Sequence, residues 1–452
     1  MVKVLLVGNG GREHAMASAI CRSGESVSLC AFMGSNNPGI ARLAKQNGGE
    51  SVVGSVLSPE SVAKWAESRG VELAVIGPES ALEAGVADRL SEKGVRCASP
   101  LKSAARLESD KSFCRNLMKK YGVPGQPEFG IFSDGAKAGE MIRRLGGNVA
   151  VKPAGLTAGK GVKVSGVHLK NAAEAEAYAR EVIANSIGGI RAVLVEEKLE
   201  GEEFTLQAFV SGNRIAGMPA VQDHKLAFEG DAGPNTGGMG AYSDANHLLP
   251  FVGRGDYDEG LEIMRKAVFA LKRETGEYYV GVLYGQFMLT RKGPELIEFN
   301  ARFGDPEAMN VLSVLESDYV EALERMVDGT VSQKDAKFAG KATVCKYLVP
   351  AGYPDSPKKG APITVDERRI GEAGARLYFG AVHEGPDGRL LTTGSRTAGI
   401  VGVADGIGEA EAAAERACSF VRGDVFHRRD IGTAALVARR VEHMARIRGR
   451  TG

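Results

Sequence analysis

The segment IEFNARFGDPE, from Ile297 to Glu307, sets the strongest constraint on how this chain can fold. ELIEFN reads as a strand, so Glu298 and Asn300 stand two apart and share one face. A carboxylate and an amide oxygen on one face suit a hard, oxygen-seeking cation such as Mg2+, which usually accompanies phosphate. A matching half lies upstream, where VAVKPAGLTAGKGVKV ends an apolar strand at Lys152 and continues into a glycine-rich loop carrying Lys160. Flexible backbone flanked by cations is what closing over an anion requires. Together the two stretches predict ATP held between a lysine-bearing lobe and a metal-bearing lobe.

A chain of 452 residues exceeds what one core organises, so about three or four domains are expected. The 57 Lys and Arg against 56 Asp and Glu leave a formal charge of +1. That balance argues against nucleic acid or a membrane surface as partner. No apolar run approaches the roughly 18 residues of a membrane span, and Val4 to Val7 is too short for a signal-peptide core. A cytoplasmic protein is expected. The cysteines Cys21, Cys30, Cys97, Cys114, Cys345 and Cys418 are scattered without a CxxC, which predicts reduced, mostly buried thiols. Strand-like runs such as KVLLVG, VELAVIG and AVLVEE alternate with amphipathic stretches such as NAAEAEAYAREVIAN, a pattern of α/β type.

From Met1 to about Pro100 the pattern is that of a small doubly wound domain. Its first turn, GNGGREH, has Gly8 and Gly10 where a dinucleotide fingerprint has its first two glycines, but Glu13 stands at the third position. The turn is better read as an anion-binding helix N-terminus, with GPE at Gly77 to Glu79 on the same sheet edge. Plain tight turns are the alternative. Lys111, in a polar helix ending near Gly122, reads in isolation as a surface lysine. In AVLVEEKLEGEEF the strand runs out through Glu196, Glu197 and Leu199, which can offer backbone groups to an adenine edge, while Glu203 can accept from ribose; a solvated acidic turn is the competing reading. The polar segment MPAVQDHKLAFEGDAGPNTGGMGAYS reads as one long binding loop. Within it, His224 beside Asp223 reads as a hydrogen-bonding histidine rather than an acid–base catalyst. From about Ala336 onward short strands and turns prevail, with SRTAG and HRRDIG standing out.

In that order NGGREHA, GPE, VKPAGLTAGKGV, VEEKLEGEEF, QDHK, DAGPNTGGMGAYS, EFNARFGDPE and RRDIG closely resemble the glycinamide ribonucleotide synthetase (phosphoribosylamine–glycine ligase) family of ATP-grasp ligases, over nearly the whole chain. The resemblance implies an N-terminal doubly wound substrate domain over 1–100, a split ATP-grasp module over 101–325 with a mobile small lobe at about 122–197, and a small α+β C-terminal domain over 326–452. It implies ligation of glycine to 5-phosphoribosylamine through a glycyl phosphate in purine synthesis, with ATP as co-substrate and Mg2+ or Mn2+ as cofactor. The partners are these small molecules, and a monomer is the simplest assembly. Carried over by position, Lys111, Lys152 and Lys160 resemble the ATP-contacting lysines, Glu196, Glu197 and Leu199 the adenine hinge, and Glu203 the ribose ligand. Glu298 and Asn300 resemble the main metal ligands, with Gln286 as a third. Arg302, Asp305, Asp223 and Lys225 fall to the catalytic contacts around the acyl phosphate. Gly10, Gly11, Arg12 and Glu79 would address phosphoribosylamine. The wrap Asn235, Thr236, Gly237, Gly238, Met239 favours glycine, because it leaves no side-chain pocket.

Three departures from the family pattern stand out. KADG is here Lys152, Pro153, Ala154, Gly155; GSK is Ser109, Asp110, Lys111; and NCR is Asn300, Ala301, Arg302. None removes a cation or the metal pair, so activity is expected. The competing readings are a related carboxylate–amine ligase acting on a different small acid, and a nucleotide-sensing or dinucleotide-binding protein without ligase activity.

Overall fold

The structure is a computed structural model that describes residues 2–23, 27–155 and 161–449. The apolar run after Met1 forms the central strand Val2–Val7 of a five-stranded parallel sheet. Val27–Met33 and Ser51–Val53 lie on one side, Leu73–Ile76 and Arg96–Cys97 on the other. The strand order therefore reverses beside Val2–Val7, which opens a crevice at the carboxyl ends of that strand and of Leu73–Ile76. The backbone turns sharply there: the Gly8 N–H donates to Phe32 O at 2.9 Å and the Gly77 N–H to Val7 O at 2.9 Å. Gly8 has φ +121°, which a side chain would disfavour. The helix Gly11–Cys21 starts directly from this crevice.

Two further sheets form the middle of the chain. The smaller has Phe129–Phe132, Val193–Glu197, Val149–Pro153 and Lys163–Val164 in that order, and carries the helices Gly135–Arg144 and Ala172–Ala184. Ile142, Val151, Val182 and Val195 give it a core of its own, separate from the main one. The larger is antiparallel, ordered Arg214–Gly217, Glu202–Ser211, Val280–Thr290, Gly293–Asn300, and the long helix Arg254–Thr275 backs it. Its last two strands shift register between Gln286 and Phe287, so that Ile297 is an unpaired bulge residue.

The segment expected to be one long loop holds ordered strands. Leu226–Phe228 pairs with Ala232–Asn235, and Gly240–Ser243 joins Gln222–Asp223 to the fully buried strand Ala342–Pro350. Glycine and proline hide the strand periodicity in these short pieces, and pairing partners about a hundred residues away supply it. That sheet continues through Ala398–Ala404 to Ala375–Phe379, so the C-terminal region shares a hydrogen-bonded sheet with the glycine-rich segment. A second C-terminal sheet runs Val382–Glu384, Leu390–Thr392, Pro362–Val365, Val421–Gly423. All six cysteines are free and five are buried. No helix among the described residues is long and apolar enough to cross a membrane.

The C-terminal region docks on the first domain through Phe379. Its N–H donates to His14 Nδ1 at 2.8 Å, its carbonyl accepts from Asn37 Nδ2 at 2.8 Å, and the His14 ring stacks on its ring at 5.9 Å. An imidazole accepting at Nδ1 must be neutral there. Burial, with Arg42 nearby, lowers the His14 pKa to about 3. A buried neutral histidine contributes stability above the unfolded-state value of about 6.5, and that contribution is lost as pH falls toward 3. Stability measured by urea unfolding is expected to drop by roughly 2–4 kcal/mol over this window on account of His14. In His14→Asn, which keeps an acceptor near Nδ1, the slope should be visibly shallower, while buried His224, also lowered to about 3, continues to contribute in both proteins. An unchanged slope would remove His14 from the acid response.

Candidate active site

A cavity of about 740 Å³ separates the small sheet from the larger antiparallel one. Ala150, Val162 and Val164 on one side and Met288 and Ile297 on the other make an apolar slot, and polar groups gather beyond it. Glu197, Leu199 and Glu203 line the slot's rim. No described backbone carbonyl accepts from the Leu199 N–H.

Lys152 and Glu196 are diagonal neighbours on adjacent strands of the small sheet, where Lys152 pairs with Leu194 and Glu196 with Ala150, and the bulge at Ile297 brings the third partner. Lys152 Nζ sits 2.6 Å from Glu196 Oε2 and donates to Ile297 O at 3.2 Å. Arg115 reaches the other Glu196 oxygen at 2.5 Å and donates to Leu296 O and Ile297 O at 2.9 and 3.0 Å. Burial pushes the Glu196 carboxyl up, but Arg115 and Lys152 outweigh it and hold it below the usual carboxylate range. The Glu196 carboxylate is thus a fixed counter-ion for Lys152, and its backbone lies inside the ladder, between Phe129 and Ala150. Lys111 opens the helix Lys111–Lys120, whose N-cap Asp110 accepts from Phe113 N at 2.9 Å. Lys111 lines the cavity rather than the outer surface, its N–H held by Ala154 O at 2.9 Å. These contacts give two of the three departures a local use: Asp110 as cap, Ala154 as a buried acceptor. Lys160 lies outside the described residues.

Gln286 faces Glu298 directly across the ladder, and Asn300 faces Tyr284, so their side chains share one side of the sheet. No described group donates a hydrogen bond to the Glu298 carboxylate. Burial raises its pKa, yet Lys111, Lys225 and Lys152 together bring it below the ordinary value. Gln286 Nε2 donates to Glu203 at 2.5 Å, which turns its amide oxygen elsewhere. Asn300 Oδ1 has a long 3.4 Å contact from Arg302. A charged carboxylate and two amide oxygens on one face fit a hard divalent ion that completes its shell with phosphate and water. Among the described residues no cluster of three or more His, Cys, Asp or Glu makes a self-sufficient metal cage.

Arg302 is held on all sides. It lies 3.3 Å from Glu79 and 3.0 Å from Glu108, and donates to Phe303 O at 3.0 Å. Arg302 in turn holds the Glu79 carboxyl down to about 2. Glu108, which sequence reading missed, also accepts from Ala301 N at 2.7 Å, and burial raises its pKa. Half-buried Asp223 and buried Glu307 are a second carboxyl pair on the cavity wall. Burial and then the charge of Glu307 drive Asp223 well above the usual range, with Lys225 opposing. Glu307, which closes the GDPE motif, accepts from the Tyr284 hydroxyl at 2.9 Å. Asp305 accepts from the Tyr347 hydroxyl at 2.7 Å.

Asn235, Thr236 and Gly237 line the cavity, whereas the Met239 side chain is fully buried behind them, with its N–H on His224 O at 2.7 Å. Both His224 ring nitrogens are buried without a partner among the described residues, contrary to the expected hydrogen-bonding role. Its neighbours are guanidinium and carboxylate groups, with Arg428 and Arg440 the largest charges on it after burial itself. In the crevice of the first domain the Gly10 N–H is taken by Glu13 Oε2 at 2.6 Å, and Glu13 Oε1 holds Arg12 Nε at 2.6 Å. Arg12 also reaches Phe303 O at 3.1 Å, which joins this turn to the RFGDPE segment. Arg440 and His443, from the helix Ala434–Ile447, complete the cavity lining, and nothing in their sequence context signals it.

The N, ATP-grasp (A) and C domains of phosphoribosylglycinamide synthetase match residues 2–108, 109–308 and 343–434 respectively. A phosphoribosylamine–glycine ligase of Methanopyrus kandleri is 51% identical over 453 aligned positions, covering 99% of this chain and 100% of that protein. One of Methanosarcina barkeri is 48% identical, with 99% and 100% covered. The crystal structure of phosphoribosylamine–glycine ligase from Thermotoga maritima superposes with a TM-score of 0.80 at 27% identity, over 95% of this chain and 100% of that one. The chain belongs to the phosphoribosylglycinamide synthetase family, with its N-terminal, ATP-grasp and C-terminal domains all present.

Proposed function

We propose that this chain ligates glycine to 5-phosphoribosylamine, converting ATP to ADP and phosphate, and that the cavity between the two lobes is where it does so. The observation that carries this reading is the set of three lysines, Lys111, Lys152 and Lys225, around the carboxylate of Glu298, which has no hydrogen-bond donor among the described residues, with the Thr236–Gly237 turn lining the same cavity. Adenine enters the apolar slot with its edge toward Glu197 and Leu199, and Glu203 accepts from the ribose. Lys111 and Lys152 meet the phosphates, with Glu196 and Arg115 positioning Lys152. Closure of the small lobe, about residues 122–197, covers the nucleotide.

Glu298 and Asn300, with the Gln286 oxygen, would hold Mg2+ or Mn2+, which when bound neutralises charge on the transferring phosphoryl group. A carboxylate is a poor electrophile, so the glycine carboxylate oxygen attacks the γ-phosphorus and ADP leaves, giving glycyl phosphate. Lys225 stabilises the charge on this intermediate. The amine of phosphoribosylamine then attacks the glycyl carbonyl carbon, the C–O bond to phosphate breaks, and the amine proton passes to the Asp223–Glu307 pair or the departing phosphate. Arg302 and Asp305 border this centre. Phosphoribosylamine sits over Gly10, Gly11, Arg12 and Glu79; with the Gly10 N–H engaged by Glu13, the Gly11 and Arg12 N–H groups are the helix donors left for its phosphate. Mg2+ or Mn2+ apart, no cofactor enters the scheme, and the setting is the cytoplasm.

Purified protein is expected to release ADP only with glycine and a divalent ion present, and to form amide only when phosphoribosylamine is added. ADP release driven better by another small acid would replace glycine as substrate. Glu298→Gln and Asn300→Ala should each lower kcat/KM by about ten- to a thousandfold and raise the metal concentration needed for half-maximal rate. Excess metal should restore part of the rate in both. Variants with unaltered metal dependence would show that the ion binds elsewhere.

A further inference from the structure

Arg396, in the SRTAG segment, has no place in the scheme above, although its guanidinium leaves the C-terminal domain and reaches the wall of the cavity. One nitrogen, Nη1, donates to Gly237 O at 2.6 Å, Asp305 O at 2.8 Å and Gly238 O at 3.2 Å. The guanidinium lies over the Tyr347 ring at 4.6 Å, and the Tyr347 hydroxyl donates to Asp305 Oδ1 at 2.7 Å. Its plane is therefore set by an aromatic face and its edge by three carbonyls from two separate loops. Those loops are the glycine turn and the GDPE turn.

The glycine turn is held at its ends by the Thr236 N–H on Lys225 O at 2.8 Å and the Gly238 N–H on Thr236 Oγ1 at 3.0 Å, and Arg396 ties its two glycine carbonyls to the GDPE turn. A Cβ at Gly237 would come within 3.0 Å of Arg396 Cζ. A Cβ at Gly238, where φ is +108°, would come within 2.7 Å of Asp223 Oδ1 and of Pro306 Cδ. The backbone is thus pressed between the arginine on one side and Asp223 with Pro306 on the other. Gly237 lines the cavity while Arg396 stands behind it. We propose that Arg396 is a positioning residue: by locking the Gly237–Gly238 turn against Asp305 it fixes the depth of the acid-binding end of the cavity and so excludes amino acids larger than glycine. The inference rests on the proposal that glycine lies against this turn. It makes the C-terminal domain part of substrate selection without contact to the substrate.

The test is steady-state kinetics on the full chain with Arg396→Gln and Arg396→Lys, varying glycine, alanine and ATP separately. Losing charge-assisted hydrogen bonds to both loops should raise KM for glycine by about ten- to a hundredfold in Arg396→Gln. The KM for ATP should stay within about twofold, since the adenine slot and Lys152 are held by other groups. The preference for glycine over alanine in kcat/KM should narrow, because a released turn admits a methyl group. Arg396→Lys keeps the buried charge but loses the planar fork, so it should fall between the two and serves if the glutamine variant folds poorly. In Arg396→Ala, added guanidinium should recover part of the glycine affinity. The inference fails if KM for glycine and for ATP rise together with a lowered Tm, which marks a merely structural role. It also fails if the glycine-to-alanine preference is unchanged in a wild-type background that does require glycine. A wild-type protein with no glycine requirement would overturn the functional reading instead, and this inference with it.

Discussion

The buried guanidinium of Arg302 is the contact on which the rest of the site depends. Desolvating a charge costs several kcal/mol, and a single partner seldom offsets it. Arg302 has two carboxylates, Glu79 from the first domain and Glu108 from the helix Lys102–Ser109, plus the Phe303 carbonyl. Because the partners come from different parts of the chain, the ion pairs fix where the first domain's GPE turn meets the strand Gly293–Asn300. Glu108 bonds the Ala301 N–H as well, so the backbone immediately after Asn300 has little freedom. An alanine at 301 suits this, as it is fully buried. Glu298 and Asn300, the proposed metal ligands, are therefore oriented by ion pairs and hydrogen bonds between distant parts of the chain.

On the opposite side a sheet irregularity does similar work. Regular pairing would commit the Ile297 carbonyl to the ladder, but the bulge leaves it unpaired and aimed at the small sheet. Lys152 and Arg115 both take it, and Glu196 balances their charge. The result is a lysine presented to the cavity with its direction set and its charge only partly neutralised. With Lys111 and Lys225 nearby, the excess of cations facing Glu298 leaves a field that a polyphosphate with a divalent ion would complete.

Much of this was legible in the sequence wherever function and local pattern coincide. Glu298 and Asn300 could be read from a two-residue strand period, and Lys152 from the end of an apolar run. Fold class followed from alternation of strands and helices. What escaped has a common cause, which is dependence on contacts distant in the chain. Glu108 meets Ala301, Arg396 meets Gly237, and Arg440 with His443 reach the cavity from the last helix. In isolation each resembles an ordinary solvated charge on a helix or turn. Glu196 shows the converse: its motif position suggested nucleotide contact, while its carboxylate is committed to holding Lys152.

The first domain shows how one residue redirects a familiar turn. In a dinucleotide-binding crevice the third glycine lets helix and strand pack closely under a pyrophosphate. Here Glu13 fills that space, and its carboxylate lies so close to Gly77 that a Cβ there would be 1.9 Å from Oε1. The same carboxylate occupies the Gly10 N–H and pairs with Arg12, so one donor of the helix end is already taken and the Arg12 charge is balanced. A pyrophosphate approaching it would find one fewer donor. A glutamate where the fingerprint has its third glycine thus takes the space and the donor that a pyrophosphate would use, above an intact doubly wound sheet.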